Sequence, residues 1–206
     1  MRGMRRFERD GFPEDDAPPP LPLLVDLLEE RDAALHAHGA RVADHAEAIG
    51  RELGLPAPAI ARVRVAARLH DLGKVWIARD ILEKPGPLDA REWTEIRRHP
   101  GTAARVLQTA ELHDIAAIIV AHHERPDGGG YPHAVPSSET PVEAQVVAVA
   151  DVYDAMTSPR PYKPMLSHDE ARAELEHVAA TQLDATVVGA FLRVLDGPRQ
   201  PRRAAV

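Results

Sequence analysis

The 206-residue chain carries 25 Lys+Arg against 32 Asp+Glu, a formal net charge of −7, with 44% hydrophobic residues, 4% aromatic residues and no cysteine. That length and apolar share predict one folded domain with tails, its core built from Ala, Leu, Val and Ile. The absence of Cys excludes disulfides, a thiolate nucleophile, iron–sulfur clusters and Cys-ligated zinc, and the acidic balance argues against a duplex nucleic-acid binder, which carries a basic face.

Residues 1–22 hold scattered charges and then Ala17-Pro18-Pro19-Pro20, with no apolar periodicity. Such a composition offers too little burial to offset its ordering entropy, so a disordered N-terminal tail is expected. Arg2, Arg5, Arg6 and Arg9 are followed by no apolar run, so no signal peptide is expected. No stretch approaches the roughly 20 apolar residues of a membrane span, and a cytoplasmic protein without membrane contact is expected. The folded domain is placed at 23–196, with 197–206 a loose, Pro- and Arg-rich C-terminal tail.

An all-α body is predicted. Leu35, Val42, Ile49 and Leu53 form an apolar stripe on a helix, or a broken pair, from Leu23 to Leu53, which Gly54-Leu55-Pro56 ends. A second helix is expected from Pro58 to Leu72, stopping at Gly73. Asp89 and Glu92 have capping-box spacing and open another helix. Ile115, Ile118, Ile119 and His122 share one face of a helix from His113 to His122, which favours helix over a buried strand. Arg125 to Pro141 is a Gly/Pro-rich loop. Thr140-Pro141-Val142-Glu143 reads as a cap, a first-turn proline and a boxed Glu, opening a helix whose face holds Val142, Val146, Val149, Tyr153 and Met156. Ser167 with Glu170, and Asp184, cap the last two helices.

Several polar residues fall where packing alone would not place them. His38 lies on the Leu35–Val42–Ile49 stripe and needs a partner. His70-Asp71 could be a surface ion pair, but an imidazole and a carboxylate are also ligands for a divalent metal. His122 points inward with His123 beside it, and Asp151 interrupts an apolar helix, where a buried carboxylate demands a cation: Lys, Arg or a metal. With His99 these make seven candidate ligands: His38, His70, Asp71, His99, His122, His123 and Asp151. Seven exceed one metal site and fit two ions about 3.5–4 Å apart bridged by Asp71, a centre suited to phosphoryl chemistry. Lys74, Arg160 and Lys163 are phosphate-holding cations or ordinary solvated charges.

The strings His70-Asp71-Leu72-Gly73-Lys74 and His122-His123-Glu124-Arg125-Pro126-Asp127-Gly128-Gly129-Gly130-Tyr131-Pro132 fit the patterns HDxGK and HHExxDGxGYP. On these residues the chain resembles the HD-GYP family of metal-dependent phosphohydrolases. His38 to Val42, Lys84-Pro85-Gly86, Arg98-His99-Pro100-Gly101, Val149 to Thr157 and Arg160-Pro161-Tyr162-Lys163 add further matches. The resemblance implies a single helical bundle and a phosphodiesterase that converts cyclic di-GMP to pGpG or GMP. It implies two divalent metal ions, Fe or Mn with Zn, Ni or Co as alternatives. The first would be held by His38, His70, Asp71 and Asp151, the second by Asp71, His99, His122 and His123. Asp71 and Lys74 would act in catalysis. Lys74, Arg160 and Lys163 would hold phosphates, and Asp154, Gly130, Tyr131 and Pro132 would also contact substrate. The loop around Tyr131 would further serve a homodimer or a signalling-protein partner. Where some family members place a Glu that serves a third metal, this chain has Ala34, so two metals are expected; Asp184-Ala185 replaces a common Asp-Pro. The N-terminal tail is too short for a sensory domain, so control is expected from expression, a partner or the tail. A cyclic-dinucleotide receptor with little turnover, and a phosphohydrolase for another nucleotide, are the alternatives. His36, His45, His113, His133, His168 and His177 are given no role.

Overall fold

The structure, a computed structural model, describes residues 21–159 and 164–197. Ten α-helices follow in chain order: α1 (Leu21–Arg31), α2 (Ala33–Glu52), α3 (Ala57–Leu69), α4 (Arg79–Leu82), α5 (Ala90–Ile96), α6 (His99–Thr109), α7 (His113–Ala121), α8 (Val142–Thr157), α9 (His168–Val178) and α10 (Ala185–Leu195). Among the described residues the only β feature is an isolated bridge between Ala179 and Leu183. The all-α expectation holds.

The first apolar segment is a broken pair. Asp32 interrupts it in extended conformation, and its side chain accepts hydrogen bonds from the Ala34 and Leu35 backbone N–H groups, both at 3.0 Å, capping α2. The helix also begins at Leu21, two residues inside the segment read as tail. The capping boxes of Asp89 and Glu92, and of Ser167 and Glu170, form as predicted, and Asp184 caps α10 without a following proline.

Other boundaries differ. α3 stops at Leu69, so His70 is its C-cap and Asp71 precedes a 3₁₀ turn over Leu72–Trp76. Thr140 does not cap α8. Its hydroxyl donates to the Pro136 carbonyl, Pro141 takes the cap position, and Glu143 pairs with Arg62 at 2.8 Å on a neighbouring helix. A tertiary ion pair has taken the carboxylate that the capping box required. Val142 is 39% exposed, while Val146, Val149, Tyr153 and Met156 are buried as expected.

The core is aliphatic, with Val42, Ile49, Val63, Leu69, Leu72, Leu107, Ile119 and Val149 buried, and Tyr153 and Phe191 its aromatic members. Two glycines set how closely segments approach near the future site. A Cβ on Gly73 would lie 2.0 Å from the His99 carbonyl oxygen, so only glycine lets the turn after Asp71 rest on the start of α6. A Cβ on Gly130 would lie 2.6 Å from the His123 carbonyl oxygen, so only glycine lets the loop fold back over the end of α7. Five segments thereby meet at one place: α2, the end of α3, the start of α6, the end of α7 and the middle of α8.

Candidate metal centre

The site is built from helix ends. His70 and His122 are C-caps of α3 and α7, and His99 opens α6. Each ring turns back on its own helix: Nδ1 of His70 donates to the Ala67 carbonyl at 2.8 Å, Nδ1 of His99 to Ile96 at 2.8 Å, and Nδ1 of His122 to Ile119 at 2.6 Å. With the proton held on Nδ1, each Nε2 is left with a lone pair facing inward.

Those lone pairs converge. His70 Nε2 is 3.5 Å from Asp71 Oδ2 and 3.7 Å from Asp151 Oδ1, and His99 Nε2 is 3.3 Å from Asp71 Oδ1. His38 Nε2 is 3.0 Å from Asp151 Oδ1 and 3.9 Å from Asp71 Oδ2. The ring centroids of His122 and His123 lie 3.9 Å apart with the rings tilted by 40°, and His123 stands 5.1 Å from His99. Two groups offer donor atoms within 4.8 Å of one another: His38, His70 and Asp71, and His99, His122 and His123. The seven predicted ligands are thus brought together, with Asp71 between the groups.

The buried Nε2 atoms of His70, His99 and His122 and Oδ1 of Asp71 have no hydrogen-bond partner. Buried polar atoms are nearly always satisfied, so four orphans within these two donor groups fit divalent cations as their missing partners. The electrostatics of His99, His122 and His123 agree with that donor set. Burial lowers His99 to a pKa of about 4 and His123 to about 3, and holds His122 well below the ordinary range, so all three rings stay neutral. Burial also opposes ionisation of Asp71, but Lys74, with Nζ 2.7 Å from Oδ2, outweighs it and keeps the carboxylate charged. Burial likewise opposes charge on His38, but Asp151 and Asp154 outweigh it and raise the ring to about 9.

Asp154, grouped with substrate contacts from the sequence, has a different place. It is buried behind His38, where one oxygen accepts from His38 Nδ1 at 2.7 Å and from Arg41 Nη2 at 2.9 Å. The other accepts from Arg41 Nε at 2.7 Å and Ser158 Oγ at 3.0 Å. This is a carboxylate orienting the His38 imidazole. Tyr131 tilts over the His123 ring at 4.7 Å, and Pro132 and Gly130 flank it. Arg160 and Lys163 lie outside the described residues. The histidines given no role include His45, packed on Tyr153 and Phe191, and His168, bonded to the Tyr153 hydroxyl at 2.6 Å.

Sequence reasoning missed two supports. Arg41 fixes Asp154; its spacing three residues after His38, matched by Asp154 three residues after Asp151, was the available signal. Buried Glu124 accepts from the backbone N–H groups of His133 at 2.6 Å and Val135 at 3.1 Å, anchoring the loop. An acid directly before a run of loop amides was its signature.

A helical bundle that draws histidines and aspartates from five segments into one buried donor cluster defines a protein built to hold divalent metal ions. The chain belongs to the HD domain family, whose family model matches residues 22–187. It is similar to a cyclic di-GMP phosphodiesterase of Thermotoga maritima, 38% identical over 177 residues, which cover 84% of this chain and 48% of that protein. It is also similar to a 3'3'-cGAMP-specific phosphodiesterase of Vibrio cholerae, 33% identical over 171 residues, covering 82% of this chain and 37% of the relative. The chain therefore spans about half the length, or less, of these curated relatives. Among solved structures, a HDG"Y"P protein from Bdellovibrio bacteriovorus shares the fold with a TM-score of 0.66 at 20% identity, over 81% of this chain and 54% of that one. No helix among the described residues is long and apolar enough to cross a membrane.

Proposed function

We propose that the chain is a metal-dependent phosphodiesterase that hydrolyses cyclic di-GMP to pGpG or GMP. The observation that carries this reading is the set of orphaned donors: Nε2 of His70, His99 and His122 and Oδ1 of Asp71, buried and without a hydrogen-bond partner. His38, His70, Asp71 and Asp151 would hold one ion, and Asp71, His99, His122 and His123 the other, with Fe or Mn expected. When bound, such ions polarise the phosphoryl oxygens and make water a competent nucleophile at neutral pH.

The chain's own residues prepare the site for that chemistry. Backbone carbonyls fix the Nδ1 proton on three rings, and Asp154 fixes it on His38. Lys74 keeps Asp71 ionised and brings a cation to where phosphate charge would lie. Tyr131 brings an aromatic ring of the loop against His123. Arg160 and Lys163 would add phosphate contacts. The loop around Tyr131 would also meet a second copy or a signalling partner.

The guanine specificity draws on the Thermotoga relative; the Vibrio relative favours a second reading, in which the substrate is a hybrid cyclic dinucleotide. The test is turnover by metal-stripped protein reloaded with Mn²⁺, or with Fe²⁺ under anoxia, on cyclic di-GMP and 3'3'-cGAMP side by side. Metal-dependent release of pGpG or GMP from cyclic di-GMP supports the proposal, and Asp71→Ala should abolish it. Faster turnover of the hybrid supports the second reading. Binding of both nucleotides without product from either overturns both and leaves a receptor.

A further inference from the structure

α5 ends at Ile96 and α6 begins at His99, so Arg97 and Arg98 occupy the turn between them, and Arg105 follows on α6. These three arginines, Gly101 and Pro132 line a cavity of about 450 Å³. Arg98 is engaged by Glu95 at 2.7 Å. Arg97 and Arg105 have no carboxylate partner among the described residues. Arg97 lies over the rings of Trp93 at 5.9 Å and Tyr131 at 5.5 Å, and Arg105 Nη2 donates to Thr102 Oγ1 at 3.2 Å. In a chain of net charge −7 these are uncompensated cations sharing one cavity. These ring contacts leave the N–H groups of Arg97 without a carboxylate acceptor, and a guanidinium fork suits bidentate phosphate binding.

The cavity adjoins the metal centre. Arg97 lies 5.5 Å from the Tyr131 ring, and Tyr131 tilts over His123 at 4.7 Å, so two contacts in series link the cavity to the cluster. We propose that this cavity is a second phosphate subsite, which takes the uncut phosphate of a dinucleotide whose scissile phosphate lies at the histidine–aspartate cluster. The proposal rests on the phosphodiesterase reading. A cyclic dinucleotide carries two phosphodiesters on one small ring. Metal ions would neutralise the one being cut, and Arg97 and Arg105 would add to the cations already proposed for phosphate, Lys74, Arg160 and Lys163, to hold the other.

Gly101 supplies a clean perturbation, because a Cβ there meets nothing within 4 Å. Gly101→Glu, whose Cβ meets open space, puts a negative charge at the cavity wall, and Arg97→Ala and Arg105→Ala remove the cations. In Mn²⁺-loaded protein each variant should raise KM for cyclic di-GMP roughly 10-fold or more while kcat stays within about 2-fold. Each should leave kcat/KM unchanged for bis(p-nitrophenyl) phosphate, which has a single phosphate. Unchanged KM, or equal losses on both esters, would overturn the subsite. If the wild type turns over neither ester, the phosphodiesterase reading fails by itself. Calorimetric binding of pGpG then decides the subsite: affinity at least 10-fold weaker in Gly101→Glu and Arg97→Ala supports it, and affinity equal to wild type overturns it.

Discussion

Asp154→Asn separates an orienting residue from a substrate contact. In the wild type the carboxylate accepts four hydrogen bonds, from His38 Nδ1, from Arg41 Nε and Nη2, and from Ser158 Oγ, at 2.7–3.0 Å. The amide has nearly the same shape but only one acceptor oxygen, so its NH₂ group must face a donor on His38 or Arg41. At least one charge-assisted bond is lost, a cost of about 1.5–3 kcal/mol. Either the Nδ1 proton of His38 loses its acceptor or the Arg41 charge loses half its partner, and both loosen the ring that should present Nε2. Affinity for the first metal should fall about 10–100-fold, the range for losing such a support. The assay is calorimetric titration of metal-stripped protein with Mn²⁺, with metal content checked by elemental analysis. Arg41→Ala, which keeps the Asp154–His38 bond, should cost less. Wild-type affinity for both ions in Asp154→Asn, together with a raised KM, would refute this reasoning and return Asp154 to the substrate.

Three further outcomes follow from the same geometry. Glu124→Ala removes the acceptor for two backbone amides, so hydrogen exchange at His133 and Val135 should accelerate by the equivalent of about 1–3 kcal/mol; unchanged protection would show that the loop is held otherwise. Gly73→Ala forces a Cβ against the His99 carbonyl, and a loss of about 2–4 kcal/mol in urea denaturation is expected, an unaltered midpoint contradicting the close approach. The metal-free protein should be most stable near pH 6.5. Below that, His99 and His123 stay neutral when folded, down to about 4 and about 3, while the unfolded chain takes up protons, so stability falls on acidification. Above it, the stability that protonated His38 contributes is lost as pH rises toward its folded value of about 9. Urea midpoints that rise steadily from about pH 5 to about pH 9 would contradict these assignments.

The sequence by itself determined the helical class, most caps and the identity of the histidines and aspartates that converge at the site. Each of these is local: 3.6-residue periodicity reports a buried stripe, a capping box closes within one turn, and an imidazole or carboxylate on an apolar stripe declares an unmet partner wherever that partner lies. What the tertiary structure alone decided are relations between distant segments. Glu143 looked like a capping residue until Arg62, on another helix, claimed its charge. Asp154 and Asp151 share a face of α8 and read alike in sequence, yet one meets His38 Nε2 and the other His38 Nδ1 and Arg41. The cavity between Arg97 and Arg105 exists because the chain turns between α5 and α6 under a loop that Glu124 pins from behind. Side-chain type fixes what a group can bind, but which group it meets is set by how the helices pack, and packing joins residues that no local pattern links.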